Sequence, residues 1–237
     1  MTICKTTAVA AKSVADRIAA AVAAKPNVVL GLATGGTMEP VYKALVRRSA
    51  AGLSFSAVRV FALDEYVGLP PDHPQSYRVY LRERFVDHVG LDPSRFHVPR
   101  GDLSAEVAAS EYETTLRQHG PVDLQLLGIG RNGHIGFNEP GSPFASRTRL
   151  VALTASTRAA NARFFAPGHV PRHAITMGIA SILEARRLLV FAIGPEKSDA
   201  VWAMVMQPPT VDVPASAVRL HASAEIVLDE GAAGQVA

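Results

Sequence analysis

Apolar positions along this chain alternate between two patterns. Short continuous runs, Val28–Leu32 (VVLGL), Val58–Leu63 (VRVFAL), Val122–Ile129 (VDLQLLGI) and Leu188–Ile193 (LLVFAI), are the length of single buried strands. Between them, apolar residues recur every three or four positions. Such spacing predicts helices over Ala11–Ala24, over a segment carrying Met38, Val41, Tyr42 and Leu45, and over Gln75–His88. It also predicts them over Ala105–Gln118, Ser156–Phe165, Ile179–Ala185 and Pro195–Met206. Thr148–Leu153, Ala217–Leu220 and Glu225–Leu228 read as further short strands, and Pro167–Gly168 as a break. Strand, loop and helix in repeated succession predict an α/β fold: a mostly parallel sheet with helices on both faces. No repeat, linker or low-complexity tract divides the chain, so residues 1–237 are expected to form one domain.

Composition narrows the function more by exclusion than by signal. A net charge of +3 without any Lys/Arg-rich block gives no reason to expect nucleic acid as a partner. Cys4 is the only cysteine, which rules out an intramolecular disulfide or a cysteine metal cluster and suits a reducing compartment. Charged residues interrupt the Ala-rich start too often for a signal peptide, and no apolar run would span a membrane. A cytoplasmic protein with no membrane association is the expectation. The histidines lack metal-ligand spacing, there is no H-E-x-x-H and there is no G-x-S-x-G elbow. Neither a catalytic metal nor serine acyl chemistry is expected.

In parallel α/β sheets, ligands bind beyond the carboxyl ends of the strands. Each polar cluster of interest follows a strand in this way. Gly130–Pro140 (GRNGHIGFNEP) leaves the third strand through two glycines and presents Asn132, His134, Asn138 and Glu139 together. A histidine and a carboxylate at that range form a proton-handling pair, and this is favoured over a loop that only caps backbone groups. Ala33–Thr37 (ATGGT) opens a helix. Thr34, Gly35, Gly36 and Thr37 there suit an anion cradle, or else a plain strand-to-helix turn. Asp64 and Glu65 point to opposite sides of an extended chain, so one can face a site and the other the scaffold, as base or as cap. Arg163 and Lys197 are candidate phosphate partners, or ordinary solvated charges.

Taken together, GLATGGT at 31–37, LDEYVGL at 63–69, HPQSY at 73–77, LLGIGRNGHIGFNEPG at 126–141, SRTR at 146–149 and NARFF at 161–165 closely resemble the glucosamine-6-phosphate deaminase family, in the family's order. The resemblance implies a modified Rossmann-like fold and conversion of glucosamine 6-phosphate and water to fructose 6-phosphate and ammonia, without a cofactor. It implies that Asp64 is the base that moves a proton between the second and first carbons. His134 would open the ring, oriented and tuned by Asn132 and Glu139. Residues 34–37 would hold the phosphate, with Arg163 and Lys197 closing around it, and Leu153–Ala174 would form a mobile lid.

Two departures from the family pattern bear on tuning. Asn132 stands where some members carry Asp, so Glu139 is the sole carboxylate of its trio. Val151 stands where allosteric hexamers carry a Lys beside the Arg matched by Arg149, and their C-terminal extension is missing. A monomer or small homo-oligomer without strong effector activation is therefore expected. The alternatives are a 6-phosphogluconolactonase, which needs no carbon-bound proton transfer, and a non-catalytic sugar-phosphate sensor.

Overall fold

The computed structural model describes residues 1–166 and 169–236; the expected break at Pro167–Gly168 lies outside them. The elements in chain order are β1 (Thr2–Cys4), α1 (Thr7–Ala24), β2 (Val29–Leu32), α2 (Glu39–Ala50), β3 (Arg59–Ala62), β4 (Asp64–Tyr66), α3 (Tyr77–Arg84), β5 (Phe96–His97) and α4 (Ala105–His119). The second half carries β6 (Leu124–Gly128), β7 (Arg149–Ala152), α5 (Ala155–Asn161), β8 (His173–Thr176), α6 (Ile179–Leu183), β9 (Leu188–Ala192), α7 (Ser198–Met206), β10 (Ala224–Asp229) and α8 (Glu230–Ala233).

Seven strands form a parallel sheet in the order β1-β10-β9-β6-β2-β3-β5. Helices cover its faces, which is why β2 and β9 are buried at every residue and read as unbroken apolar runs. On α1, Ala10, Val14, Ile18 and Val22 form the buried stripe. Phe61 and Phe191 are fully buried sheet residues, each contributing roughly 1.5–3 kcal/mol through burial. From β2 the chain builds outward through β3 and β5, then returns to place β6 on the other side of β2. The strand order therefore reverses between β2 and β6, the kind of switch point beside which open α/β sheets bind ligands.

A second, antiparallel sheet, β4-β8-β7, is attached at one residue. The Leu63 amide still bonds the Leu32 carbonyl at 3.1 Å, within the parallel sheet. The next residue, Asp64, is paired with Thr176 in the antiparallel one.

Several expected elements differ. Ala217–Leu220 is not a strand: Pro214–Leu220 is a 3-10 helix with Ala215–Val218 buried. A four-residue apolar run does not distinguish strand from helix, and Pro214 at its start favours a tight helical turn. Gln75–His88 is divided at Phe85, whose backbone leaves the helical region so that its ring can pack on Tyr42 and Phe55. The helix expected over Ser156–Phe165 tightens to 3-10 at Ala162–Phe164, and Pro195–Lys197 is likewise 3-10. β1, β4, β5, β8 and α8 carry no clear apolar period and escaped the sequence reading.

Candidate active site

Four neighbouring strands, β3, β2, β6 and β9, deliver the candidate residues at their carboxyl ends. After β2, Gly35 adopts φ +102°, a conformation only glycine takes easily, and a Cβ there would meet open space. Gly36–Met38 forms a 3-10 turn that runs into α2, which sets the turn at the positive end of a helix. Two tyrosines brace this turn from below. The Tyr42 hydroxyl donates to the Ala33 carbonyl, and that of Tyr80 donates to the Gly35 carbonyl at 2.8 Å. Thr34 lies beside the Tyr77 hydroxyl, which in turn reaches that of Tyr66 at 3.2 Å.

The adjacent carboxylates after β3 separate as the strand pleat requires. Glu65 turns to the scaffold, accepting from the amides of Tyr66 (2.9 Å), Tyr77 (2.9 Å) and Arg78 (3.0 Å) and so capping the start of α3. Asp64 turns the other way and is only 4% exposed. Burial first, and the neighbouring Glu65 charge second, push its carboxyl well above the usual range, with the Phe137 amide pulling back. A carboxylate raised in this way is a stronger base near neutrality.

The loop after β6 lies against that aspartate. Gly136, at φ +55°, brings its backbone so close that an added Cβ would stand 3.3 Å from Asp64 Oδ2 and 3.0 Å from the Thr176 hydroxyl. Thr176 accepts from the Phe137 amide at 3.1 Å and pins the loop opposite Asp64. Earlier in the loop, Asn132 Nδ2 donates to Glu139 Oε2 at 2.8 Å, and His134 Nδ1 lies 3.5 Å from the same oxygen. That distance is within ion-pair range but longer than a well-formed hydrogen bond. Burial alone would raise the Glu139 pKa; contacts with His134, Thr157 and Asn132 outweigh it and hold the carboxyl at about 2. Gly130 allows the imidazole to lie on the backbone, since a Cβ there would meet its ring atoms at 2.3 Å.

Asn138 is a scaffold residue rather than a member of this cluster. Fully buried, it donates to the carbonyls of Ile135 (2.9 Å) and Met177 (2.8 Å) and accepts from Arg149 at 2.8 Å. Arg149 also donates to Ser142 at 3.1 Å, so its guanidinium is committed to holding the loop.

Lys197, on the 3-10 turn after β9, donates to the Ile129 carbonyl at 2.8 Å, at the root of the His134 loop. Burial lowers its pKa; Glu196 opposes this and Arg131 adds to it. A second cation nearby and an awkward position at a helix start suit an anion between them. Arg163 is the outlier. It lies exposed on the 3-10 turn after α5, its guanidinium 4.7 Å over the Phe164 ring, without a bond to the other candidates. Sequence reasoning missed Thr154, Thr157 and Thr176, isolated threonines that form no motif and matter only through what the fold places opposite them.

Two cavities lie apart from these residues. One of about 340 Å³ is lined by Glu113, Arg117 and Ser181, and one of about 430 Å³ by residues 67–71 and 101–103. Among the described residues, no group of three or more His, Cys, Asp or Glu is arranged to hold a metal ion, and no helix is long and apolar enough to cross a membrane.

The model for the family of glucosamine-6-phosphate isomerases and 6-phosphogluconolactonases matches residues 4–228. The chain belongs to this family. Among family members, glucosamine-6-phosphate deaminase of Rhodopirellula baltica is 52% identical over 94% of this chain and 90% of its own. Glucosamine-6-phosphate deaminase 2 of Bacillus subtilis is 49% identical over 89% and 86%. A solved monomeric glucosamine-6-phosphate deaminase superposes with a TM-score of 0.95 at 43% identity, covering 99% of both chains. The 6-phosphogluconolactonase of Leishmania guyanensis shares the fold at TM-score 0.81 but only 24% identity, over 100% of this chain and 98% of its own. Within the family, similarity of sequence thus runs to the deaminases, while the lactonase likeness is one of architecture.

Proposed function

We propose that this chain is a glucosamine-6-phosphate deaminase, acting on glucosamine 6-phosphate and water to give fructose 6-phosphate and ammonia. The observation that carries the reading is the loop Gly130–Pro140. Its Gly136–Phe137 stretch packs on the buried Asp64, while its own Asn132, His134 and Glu139 form the polar cluster a few residues away. Two proton-handling centres on one loop suit a substrate that needs two different proton movements.

In this reading the phosphate docks on the amides of Thr34–Thr37, with Lys197 beside it and Arg163 joining from the segment after α5. His134, held by Glu139 and Asn132, moves the proton between the anomeric hydroxyl and the ring oxygen, which opens the ring to the aldehyde. The hydrogen on the second carbon is then acidic. Asp64 takes it and returns it to the first carbon. The second carbon becomes an imine as a proton passes from the amine to the oxygen on the first carbon; water then adds at the second carbon, and ammonia leaves. Phosphate contacts remote from the reacting carbons hold the sugar while it changes shape. Leu153–Ala174 acts as the lid, carrying α5 and ending in His173–Ala174 of β8.

The protein acts without a cofactor, as a monomer or small oligomer in the cytoplasm. Arg149 is already engaged and Val151 brings no charge, so N-acetylglucosamine 6-phosphate, the effector of the allosteric hexamers, does not activate strongly. Purified protein supplied with glucosamine 6-phosphate, followed for ammonia and fructose 6-phosphate, tests the reading; 6-phosphogluconolactone hydrolysis is the control arm. Lactone hydrolysis without ammonia release, or binding without turnover, refutes it.

A further inference from the structure

Helix α5 is seven residues long, and its single buried residue is a threonine, Thr157. Ala155, Ser156, Ala159 and Ala160 are exposed, so no apolar stripe seats the helix on the body of the protein. Two hydroxyls do so instead. Thr157 donates to Glu139 Oε1, and Thr154, which also caps the helix by accepting from the Thr157 amide, donates to the same oxygen at 3.2 Å. The other oxygen of that carboxylate, Oε2, faces Asn132 and His134. Glu139 is thus divided: one oxygen serves the helix and the other serves the imidazole.

We infer that Thr157, assisted by Thr154, is a positioning residue whose hydroxyl fixes the rotation of the Glu139 carboxylate, so that seating of α5 and alignment of the His134–Glu139 pair are a single event. The inference rests on the catalytic roles proposed above for those two residues. A carboxylate with donors on both oxygens has one orientation; without the Thr157 hydroxyl, Oε1 keeps only the 3.2 Å bond from Thr154, the carboxylate turns more freely, and Oε2 loses its aim at the imidazole. The helix, whose apolar anchors Leu153 and Phe165 lie at its flanks rather than along it, is loosened at the same time. The coupling therefore works in both directions: removing the carboxylate charge loosens α5 even when no substrate is bound.

The test uses the full chain with Thr157→Val, which keeps the shape and removes the hydroxyl, Thr157→Ser, which restores it, and Glu139→Gln. For Thr157→Val, kcat for ammonia release is expected to fall about tenfold or more while KM changes less than about threefold, because the hydroxyl aligns a catalytic pair rather than binding the sugar. Thr157→Ser returns kcat to within about threefold of the parent, since serine keeps the donor. In substrate-free protein, hydrogen exchange of amides 158–161 is expected to quicken about tenfold in both Thr157→Val and Glu139→Gln. Unchanged kcat in Thr157→Val, no rescue by Thr157→Ser, or unchanged exchange in Glu139→Gln would overturn the coupling. If the parent protein releases no ammonia, the proposed function fails on its own; the exchange measurement needs no turnover and still decides whether Glu139 seats α5.

Discussion

Replacing Asp64 with Asn should stabilise this protein while abolishing its activity. Asp64 is 4% exposed, its neighbour Glu65 is spent on capping α3, and burial raises its pKa well above 3.8. A group whose folded pKa lies above its unfolded value costs stability once the pH passes the unfolded value, and the cost grows until the folded value is reached. The penalty is therefore absent near pH 4 and full on the alkaline side. Relieving a buried, poorly partnered charge is worth about 1–3 kcal/mol, and about 2–4 °C of Tm accompanies each kcal/mol in a chain of this size. Melting curves between pH 5 and 8 should thus show Asp64→Asn ahead by a few degrees, the lead widening with pH. The same variant removes the proposed general base, an effect of about 10²–10⁴ in kcat, with little change in KM because the proposed phosphate contacts are elsewhere. Ammonia release under saturating substrate measures it. A variant that keeps more than about a tenth of kcat would refute the assignment of Asp64 as base, and a Tm advantage that shrinks as pH rises would refute the burial argument.

Other perturbations probe the remaining walls of the site. Gly35→Ala forces a side chain onto φ +102° and should cost about 1–3 kcal/mol in thermal unfolding, together with a raised KM as the turn distorts. Lys197→Met removes the cation at the root of the His134 loop that is proposed to close on the phosphate, and KM should rise about 10–100-fold with kcat less affected, the worth of one hydrogen bond to a charged group. Glu139 has its pKa held down to about 2, so its contribution to stability is present above the unfolded value of 4.5 and lost as pH falls toward 2. Glu139→Gln should accordingly lower Tm at pH 7 and converge on the parent in acid melts. Phe191→Ala, deep in β9, should lose about 3–5 kcal/mol of stability by urea titration, with kcat of the folded fraction unchanged.

The parallel sheet was legible because its central strands are buried on both faces and therefore write continuous apolar runs. The antiparallel sheet was not: Asp64–Tyr66 is a strand because of what it pairs with, and a sequence of Asp-Glu-Tyr carries no strand period. Ala217–Leu220 shows the opposite failure, an apolar tetrad whose burial comes from helical packing. Within the site, the glycines and polar residues of Gly130–Pro140 announced a dense loop, yet the sequence could not divide its two asparagines. Asn132 meets Glu139, whereas Asn138 is sealed among backbone carbonyls. That Glu65 caps and Asp64 does not depends on α3 starting at Tyr77, a long-range fact. The threonines on Glu139 were invisible for the same reason.

Asp64 sits one residue past the seam where the two sheets meet, so it is clamped by ladders on either side. The proposed proton acceptor is thus mounted on backbone with little play of its own. Any tolerance the reaction needs, for a sugar that changes from closed ring to open chain, must come from the facing wall, and attempts to re-engineer the substrate should leave that seam alone.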